Sequence, residues 1–238
     1  TYSNIPFLTE VNGVKASRLE IVHNGIDIAQ LDASEPPGLR AALGLDQSVF
    51  LFAVVGSLIE RKGHRTLLDA FARLAVSGSR QTALLVVGDG PEEPLLKRRA
   101  RQLGLDRRVF FLGHRDDAQG IMHEIDCLVV PSLMEGMPFV ILEAMGASKP
   151  VIASKIFGIP EVIVEEDTGL LVTPAKAEEL SRAMLRILEH PELARAMGAS
   201  GRSRIEDRFS AETMARRVES VYSSLLHPDV GQTADGAP

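Results

Sequence analysis

Cys127-Leu-Val-Val-Pro-Ser-Leu-Met-Glu135-Gly-Met-Pro-Phe-Val-Ile-Leu-Glu143-Ala-Met145 holds an apolar run, a turn and a helical pattern within one short span. Cys127 to Val130 is continuously aliphatic after its cysteine, as a strand covered on both faces requires. Glu-Gly-Met-Pro interrupts the run, and a helix carrying Glu143 follows. The same sequence of events repeats along the chain. Strand-like runs occur at 49–55 (VFLFAVV), 83–88 (ALLVVG), 109–112 (VFFL), 150–153 (PVIA) and 170–172 (LLV). Between them lie helical faces, the clearest being Leu67, Leu68, Phe71, Leu74 and Ala75, with a weaker one at Leu95, Leu96 and Leu103. Strand–helix alternation at this spacing predicts an α/β fold: a Rossmann-like, doubly wound parallel sheet.

From residue 173 the pattern turns helical. Thr173 before Pro174 reads as a cap and first-turn proline. Leu180, Ala183, Met184, Ile187 and Leu188 then recur at helical spacing, Pro191 opens another helix, and Ser210 caps a last one bearing Met214, Val218, Val221, Tyr222 and Leu225. Upstream, Arg18 to Val22 reads as an entry strand and 29–48 as a linker with a short helix near 38–43. The expected organisation is an entry strand and linker over 1–48, the sheet domain over 49–226 and a polar, glycine-rich disordered tail over 227–238. The chain opens mid-pattern at Thr1, which suggests a piece of a longer protein.

Bulk properties exclude several classes. The chain has 238 residues, is 45% hydrophobic and 24% charged, and carries a formal net charge of -6, which argues against nucleic acid as a partner. No apolar run approaches the ~18 residues that span a bilayer. A single cysteine, Cys127, sits in a strand and fits a reducing, cytoplasmic compartment. The six histidines are scattered, without metal-ligand spacing. The chain lacks a Gly-x-Ser-x-Gly elbow, a Walker loop and a Gly-x-Gly-x-x-Gly after the first strand, which weakens hydrolase, ATPase and dinucleotide readings.

Ligands of open α/β sheets sit at the carboxyl ends of the strands. After the first strand, Gly56-Ser57-Leu-Ile-Glu-Arg61-Lys62-Gly63 places Lys62 near a helix start. There it either joins an anion site or belongs to a solvated Arg-Lys pair. Gly88-Asp-Gly90-Pro-Glu92 allows close backbone approach or is a simple turn. Gly113-His114-Arg115 puts backbone near a base edge, with the two side chains either beside the ring or in an exposed polar turn. Around the opening segment, Glu135 precedes a helix and Glu143 lies roughly 7–8 Å along its axis from Pro138. The two carboxylates are therefore too far apart to share a proton as a dyad. Free N–H groups near Gly136, Met137, Pro138, Phe139 and Val140 fall between them, and such groups bind phosphate. Spacing alone also allows Glu135 to complement the helix dipole and Glu143 to be surface. Glu161 reads as a helix-start carboxylate.

In order, these pieces resemble the C-terminal, donor-binding half of glycosyltransferase family 4, retaining enzymes of GT-B architecture. The match runs from about Leu19 to Leu226 through Ile21-Val-His-Asn24-Gly25-Ile-Asp27, Gly56 to Gly63, Val87 to Pro91, Phe111-Leu-Gly113, Val130-Pro-Ser132, Glu135 to Glu143, Pro150 to Ala153, Gly158-Ile-Pro-Glu161 and Gly169 to Val172. The resemblance implies that Glu135 meets the donor sugar and Glu143 the ribose. It also implies that backbone amides at Met137 to Val140 hold the diphosphate, with charge from Lys62, and that Gly113 to Arg115 lies near the base. It implies an NDP-sugar donor, of UDP or GDP type, and neither cofactor nor metal. The acceptor-binding N-terminal domain is expected to be missing, which leaves this chain alone inactive as a transferase. The stripe on the last helix either packs on its own sheet or, left partly uncovered, drives a dimer, and the expected location is cytoplasmic or peripheral at the inner membrane face. Two departures stand out. Ser57 occupies a position that is often arginine, shifting phosphate neutralisation to Lys62 with Arg61 as helper. Ser148 replaces a usual glycine. Alternatives are a stand-alone nucleotide-sugar-binding module or subunit and half of a GT-B-like epimerase.

Overall fold

The computed structural model of the chain describes residues 1–77 and 81–226. The tail expected over 227–238 lies outside them. The elements run α1 (Ile28–Asp32), α2 (Leu39–Ala42), β1 (Phe50–Val55), α3 (His64–Ser77), β2 (Thr82–Val87), α4 (Glu93–Gln102), β3 (Val109–Gly113) and α5 (Ala118–Glu124). They continue with β4 (Cys127–Val130), α6 (Phe139–Gly146), β5 (Val151–Ser154), α7 (Ile159–Val162), β6 (Gly169–Val172), α8 (Ala177–Glu189), α9 (Pro191–Arg208) and α10 (Ala211–Leu226).

The six strands form one parallel sheet in the order β3-β2-β1-β4-β5-β6. The doubly wound α/β architecture is as the alternation predicted. Side chains alternate along each strand, so β1 feeds two cores. Leu51 and Ala53 join Ile121, Ile141, Leu142, Met145 and Ile205 on one face, while Phe50, Phe52 and Val54 join Leu67, Phe71, Leu96, Leu180 and Met184 on the other. Phe52 and Phe71 meet edge-on with ring centroids 6.5 Å apart. Truncating such a fully buried aromatic to alanine costs about 3–5 kcal/mol.

Strand order reverses between β1 and β4, where the chain leaves one half of the sheet and starts the other. The two loops at that switch point, 56–63 and 131–138, therefore lie side by side at the carboxyl edge. Gly63 is left-handed, with φ 71°, and a Cβ there would come within 2.0 Å of the Pro131 carbonyl oxygen, so only glycine lets the loops close. Main-chain bonds seal the contact, with Leu133 N–H donating to Arg61 O at 2.7 Å.

The structure corrects three local expectations. Residues 18–22 form no strand: Ala16–Arg18 is a 3-10 turn, and the chain beyond it runs irregularly to a single bridge between Ile26 and Ser210. Alternating Leu19 and Ile21 pairs with no strand edge among the described residues. The segment read as a linker is tied down, with Leu31 and Leu39 buried in the first core and Arg40 donating to Val49 O and Asp126 Oδ2, both at 2.8 Å. Thr173 does not cap α8: Lys176 holds the N-cap position, and the Thr173 N–H instead donates to Glu179 Oε1. The Ser210 cap forms as expected, its Oγ accepting from Thr213 N–H at 3.2 Å.

The stripe on α10 is largely uncovered. Tyr222 is 63% and Leu225 69% exposed, and the helix has no fully buried residue. No described helix is long and apolar enough to cross a membrane.

Candidate functional site: a cleft at the switch point

The loop after β1 begins at Gly56, whose N–H donates to Val87 O at 2.9 Å, and ends in a 3-10 turn over Glu60–Lys62. This turn aims Lys62 back across Gly56: a Cβ built on Gly56 would lie 3.7 Å from Lys62 Nζ. Lys62 Nζ then donates to Glu135 Oε2 at 2.6 Å, with both side chains more than four-fifths shielded from solvent. Arg61 flanks the pair from a more exposed position, 4.0 Å from the same oxygen. Ser57 contributes its carbonyl to Ile59 N–H and supplies no charge.

Glu135 leads into α6. Pro138 takes an extended N-cap conformation and gives no side-chain cap, while its carbonyl accepts from Ile141 N–H at 3.1 Å. The first-turn N–H groups of Phe139 and Val140 have no protein acceptor among the described residues. They are the open donors that a helix start presents to an anion. Met137 faces inward, its side chain 8% exposed, and so offers only its backbone to a ligand, whereas Phe139 turns outward at 52% exposure. Gly136 has open space where a Cβ would sit.

Glu143, one and a half turns into α6, makes a separate contact. It accepts from Gln119 Nε2 at 3.4 Å, and burial pushes its carboxyl above the usual range against the opposing pull of that hydrogen bond. Gln119 stands at the start of α5, immediately beyond the loop after β3, and so links the Gly113 loop to Glu143. Glu135 and Glu143 thus serve different neighbours, as their separation predicted. His114 and Arg115 make local contacts in the ligand-free chain. His114 faces Asp116 at 3.2 Å and Arg115 pairs with Asp117, and no contact among the described residues joins either to Lys62, Glu135 or Glu143.

Beneath the cleft lie two buried polar side chains without partners among the described residues, His64 and Ser132. His64 begins α3 against Val54, Leu68, Val86 and Phe111. Burial, and then the Lys62 charge, lower its pKa to about 4. Surface hollows of about 600 and 1010 Å³ lie elsewhere, beside α3–α4 and beside α10, and neither contains Lys62, Glu135 or Glu143. Among the described residues no cluster of three or more metal-ligating side chains occurs.

The family model for glycosyl transferases group 1 matches residues 37–204, a span that contains the whole cleft. The chain belongs to this family. It is 33% identical to the lipopolysaccharide core biosynthesis glycosyltransferase LpsD of Rhizobium meliloti, over 75% of this chain and 51% of that protein. It is 30% identical to the 2-deoxystreptamine glucosyltransferase of Streptomyces kanamyceticus, over 87% of this chain and 55% of that one. The chain spans about half the length of the curated relatives it matches. Among solved structures, Anabaena Alr3699/HepE in complex with UDP superposes with a TM-score of 0.82 at 28% identity, covering 90% of this chain and 60% of that one. The same protein in complex with UDP-glucose gives a TM-score of 0.80.

Sequence reading missed Gln119 as a member of the site. Its signal is a contact across 24 positions, which no local pattern carries.

Proposed function

We propose that this chain is the donor-binding half of a retaining group 1 glycosyltransferase of the family 4 type, taking a UDP- or GDP-sugar. The single observation that carries the reading is the Lys62–Glu135 pair set beside the open N–H groups of Phe139 and Val140. One cation, a helix start and a carboxylate converge where an anionic diphosphate joins a hydroxyl-bearing sugar. In this reading the α6 amides and Lys62 stabilise charge on the diphosphate, Glu135 accepts hydroxyl hydrogens from the sugar, and Glu143 accepts them from the ribose. The Gly113 loop flanks the base through its backbone. Catalysis rests on positioning and on stabilising the leaving diphosphate, without a metal.

Transfer needs an acceptor-binding domain supplied by a longer protein, so the chain alone binds donor and does not turn it over. The UDP and UDP-glucose held by the Anabaena relative support the nucleotide-sugar assignment.

Titration of the folded chain with UDP, GDP, ADP and their sugars tests the proposal. Binding of one diphosphate series is expected, weakened by Lys62→Ala more than by Arg61→Ala, and weakened by Glu143→Ala. No binding to any of them by folded protein would overturn it.

A further inference from the structure

Two side chains of the irregular entry segment reach the loop before α6, which frames this cleft, and the neighbouring segment where a loop leads into α7. Asn24 Nδ2 donates to the Met137 carbonyl at 3.3 Å, in the turn that carries the open amides into α6. His23 Nε2 lies 2.8 Å from Glu161 Oε2 on α7, whose other carboxylate oxygen accepts from Ser3 N–H at 3.2 Å. The two loops touch each other as well: a Cβ on Gly158, at the start of α7, would come within 2.7 Å of the Gly136 carbonyl oxygen. Neighbouring residues 23 and 24 therefore hold both sides of one close contact, with Glu135 next to it in sequence.

The segment is itself fixed. Ile26 N–H donates to Phe209 O at 2.9 Å, and Ala211 N–H donates to Ile26 O at 2.8 Å. A Cβ on Gly25 would strike the Ser210 carbonyl oxygen at 2.3 Å, so the backbone is pressed against the α9–α10 junction. The His23 ring lies between Tyr2 and Phe209 in tilted contacts, at 5.8 and 5.6 Å between centroids, and Arg217 of α10 approaches its Nδ1 at 3.5 Å.

The geometry points to Asn24 as a positioning residue for the diphosphate site, with His23 bracing the adjoining loop. An anchored donor on the Met137 carbonyl sets the plane of the peptide that follows it. That plane fixes the entry angle of the Pro138–Phe139–Val140 turn, and hence where its N–H groups aim. Asn24 touches no donor atom and acts only through this turn. The inference rests on the proposed nucleotide-sugar site.

The test separates the diphosphate from the rest of the ligand. UDP, GDP and ADP and their monophosphates are titrated calorimetrically into the full chain, and the tightest-binding diphosphate and its monophosphate are carried forward. Asn24→Ala is expected to weaken the diphosphate by about fivefold, the effect of one lost neutral hydrogen bond, with monophosphate affinity unchanged. Asn24→Leu, similar in size but unable to donate, gives the same selective loss and covers the case in which the alanine variant does not fold. His23→Ala gives a smaller loss in the same direction, and His23→Gln, which keeps a donor for Glu161, restores it. Equal loss of both ligands would mark a merely structural role, and unchanged diphosphate affinity in a folded variant would equally overturn the inference. Failure of the unaltered chain to bind any nucleotide would instead count against the donor-site proposal beneath it.

Discussion

Removing Glu135's charge is expected to tighten nucleoside diphosphate binding, although it deletes a group from the cleft. In the ligand-free chain Lys62 is already engaged, with Nζ 2.6 Å from Glu135 Oε2. The side chains are 18% and 14% exposed, which places the pair between two limits. A solvated ion pair contributes about 0–1 kcal/mol, whereas breaking a buried one costs about 3–5 kcal/mol. A coupling of about 1–2 kcal/mol is reasonable for this partly shielded pair. A diphosphate arriving at the start of α6 must compete for Lys62 and approach a carboxylate of its own sign. Glu135→Gln removes both obstacles while keeping size and hydrogen-bonding capacity. Affinity for the diphosphate should rise about tenfold, equivalent to about 1.4 kcal/mol. Calorimetric titration of wild type and variant at one pH reads the difference, and a repeat at higher ionic strength should narrow it through screening. Lys62→Met in the same assay should loosen binding. A folded Glu135→Gln variant with equal or weaker diphosphate affinity would refute the claim that phosphate and Glu135 share Lys62.

Burial holds the His64 pKa at about 4 against an ordinary 6.5, so the unfolded chain binds the extra proton first as pH falls. The stability that His64 confers is full above the ordinary value and is lost on acidification through that window. It amounts to about 3 kcal/mol, which His64→Leu should remove from the acid dependence of urea unfolding. Glu143 has the opposite sign. Its raised carboxyl pKa means that the folded state holds the proton longer, so stability falls as pH rises through and above the ordinary carboxylate range. Glu143→Gln should therefore melt higher than wild type at neutral pH, with the gap closing in acid; parallel melts would contradict this. Ser148 closes α6 in the left-handed region with φ 58°, so Ser148→Gly should stabilise the chain by about 0.5–1 kcal/mol in denaturant titration. The uncovered α10 stripe is expected to make the isolated chain self-associate, and Tyr222→Asp with Leu225→Asp should abolish this in sedimentation velocity; a monomer at high concentration without the substitutions removes the dimer reading.

The fold was legible because a parallel sheet covered on both faces leaves an unambiguous trace. Runs such as VFLFAVV and CLVV leave no position for a polar side chain, and the glycines and prolines that end them mark the loops. Gly63 was legible as one end of the loop after β1, though the Pro131 carbonyl that demands a glycine there was not. At 18–22 the sequence pattern failed because alternation describes a side-chain arrangement, whereas a strand also needs a partner, and none is adjacent among the described residues. The Thr173 cap failed because α8 begins only at Ala177, four residues on, with Lys176 at its N-cap. In the cleft, the order of Lys62, Glu135 and the α6 start was readable. The contacts of Asn24 and Gln119 were not, since each meets its neighbour across many residues of sequence. The local pairs of His114 with Asp116 and Arg115 with Asp117 follow from residues only two positions on.

The two loops at the switch point are joined by main-chain groups: the Arg61 carbonyl to the Leu133 N–H, and Gly63 against the Pro131 carbonyl. Backbone bonds are indifferent to what the side chains are. The frame of the cleft therefore survives replacement of Ser57, Arg61 or Leu133, while its polarity and reach change with each. On the donor-site proposal, such a division lets donor preference drift without endangering the scaffold. A library randomised at those three positions, with Gly63 kept, should yield mostly folded proteins that differ in which sugar nucleotide they accept.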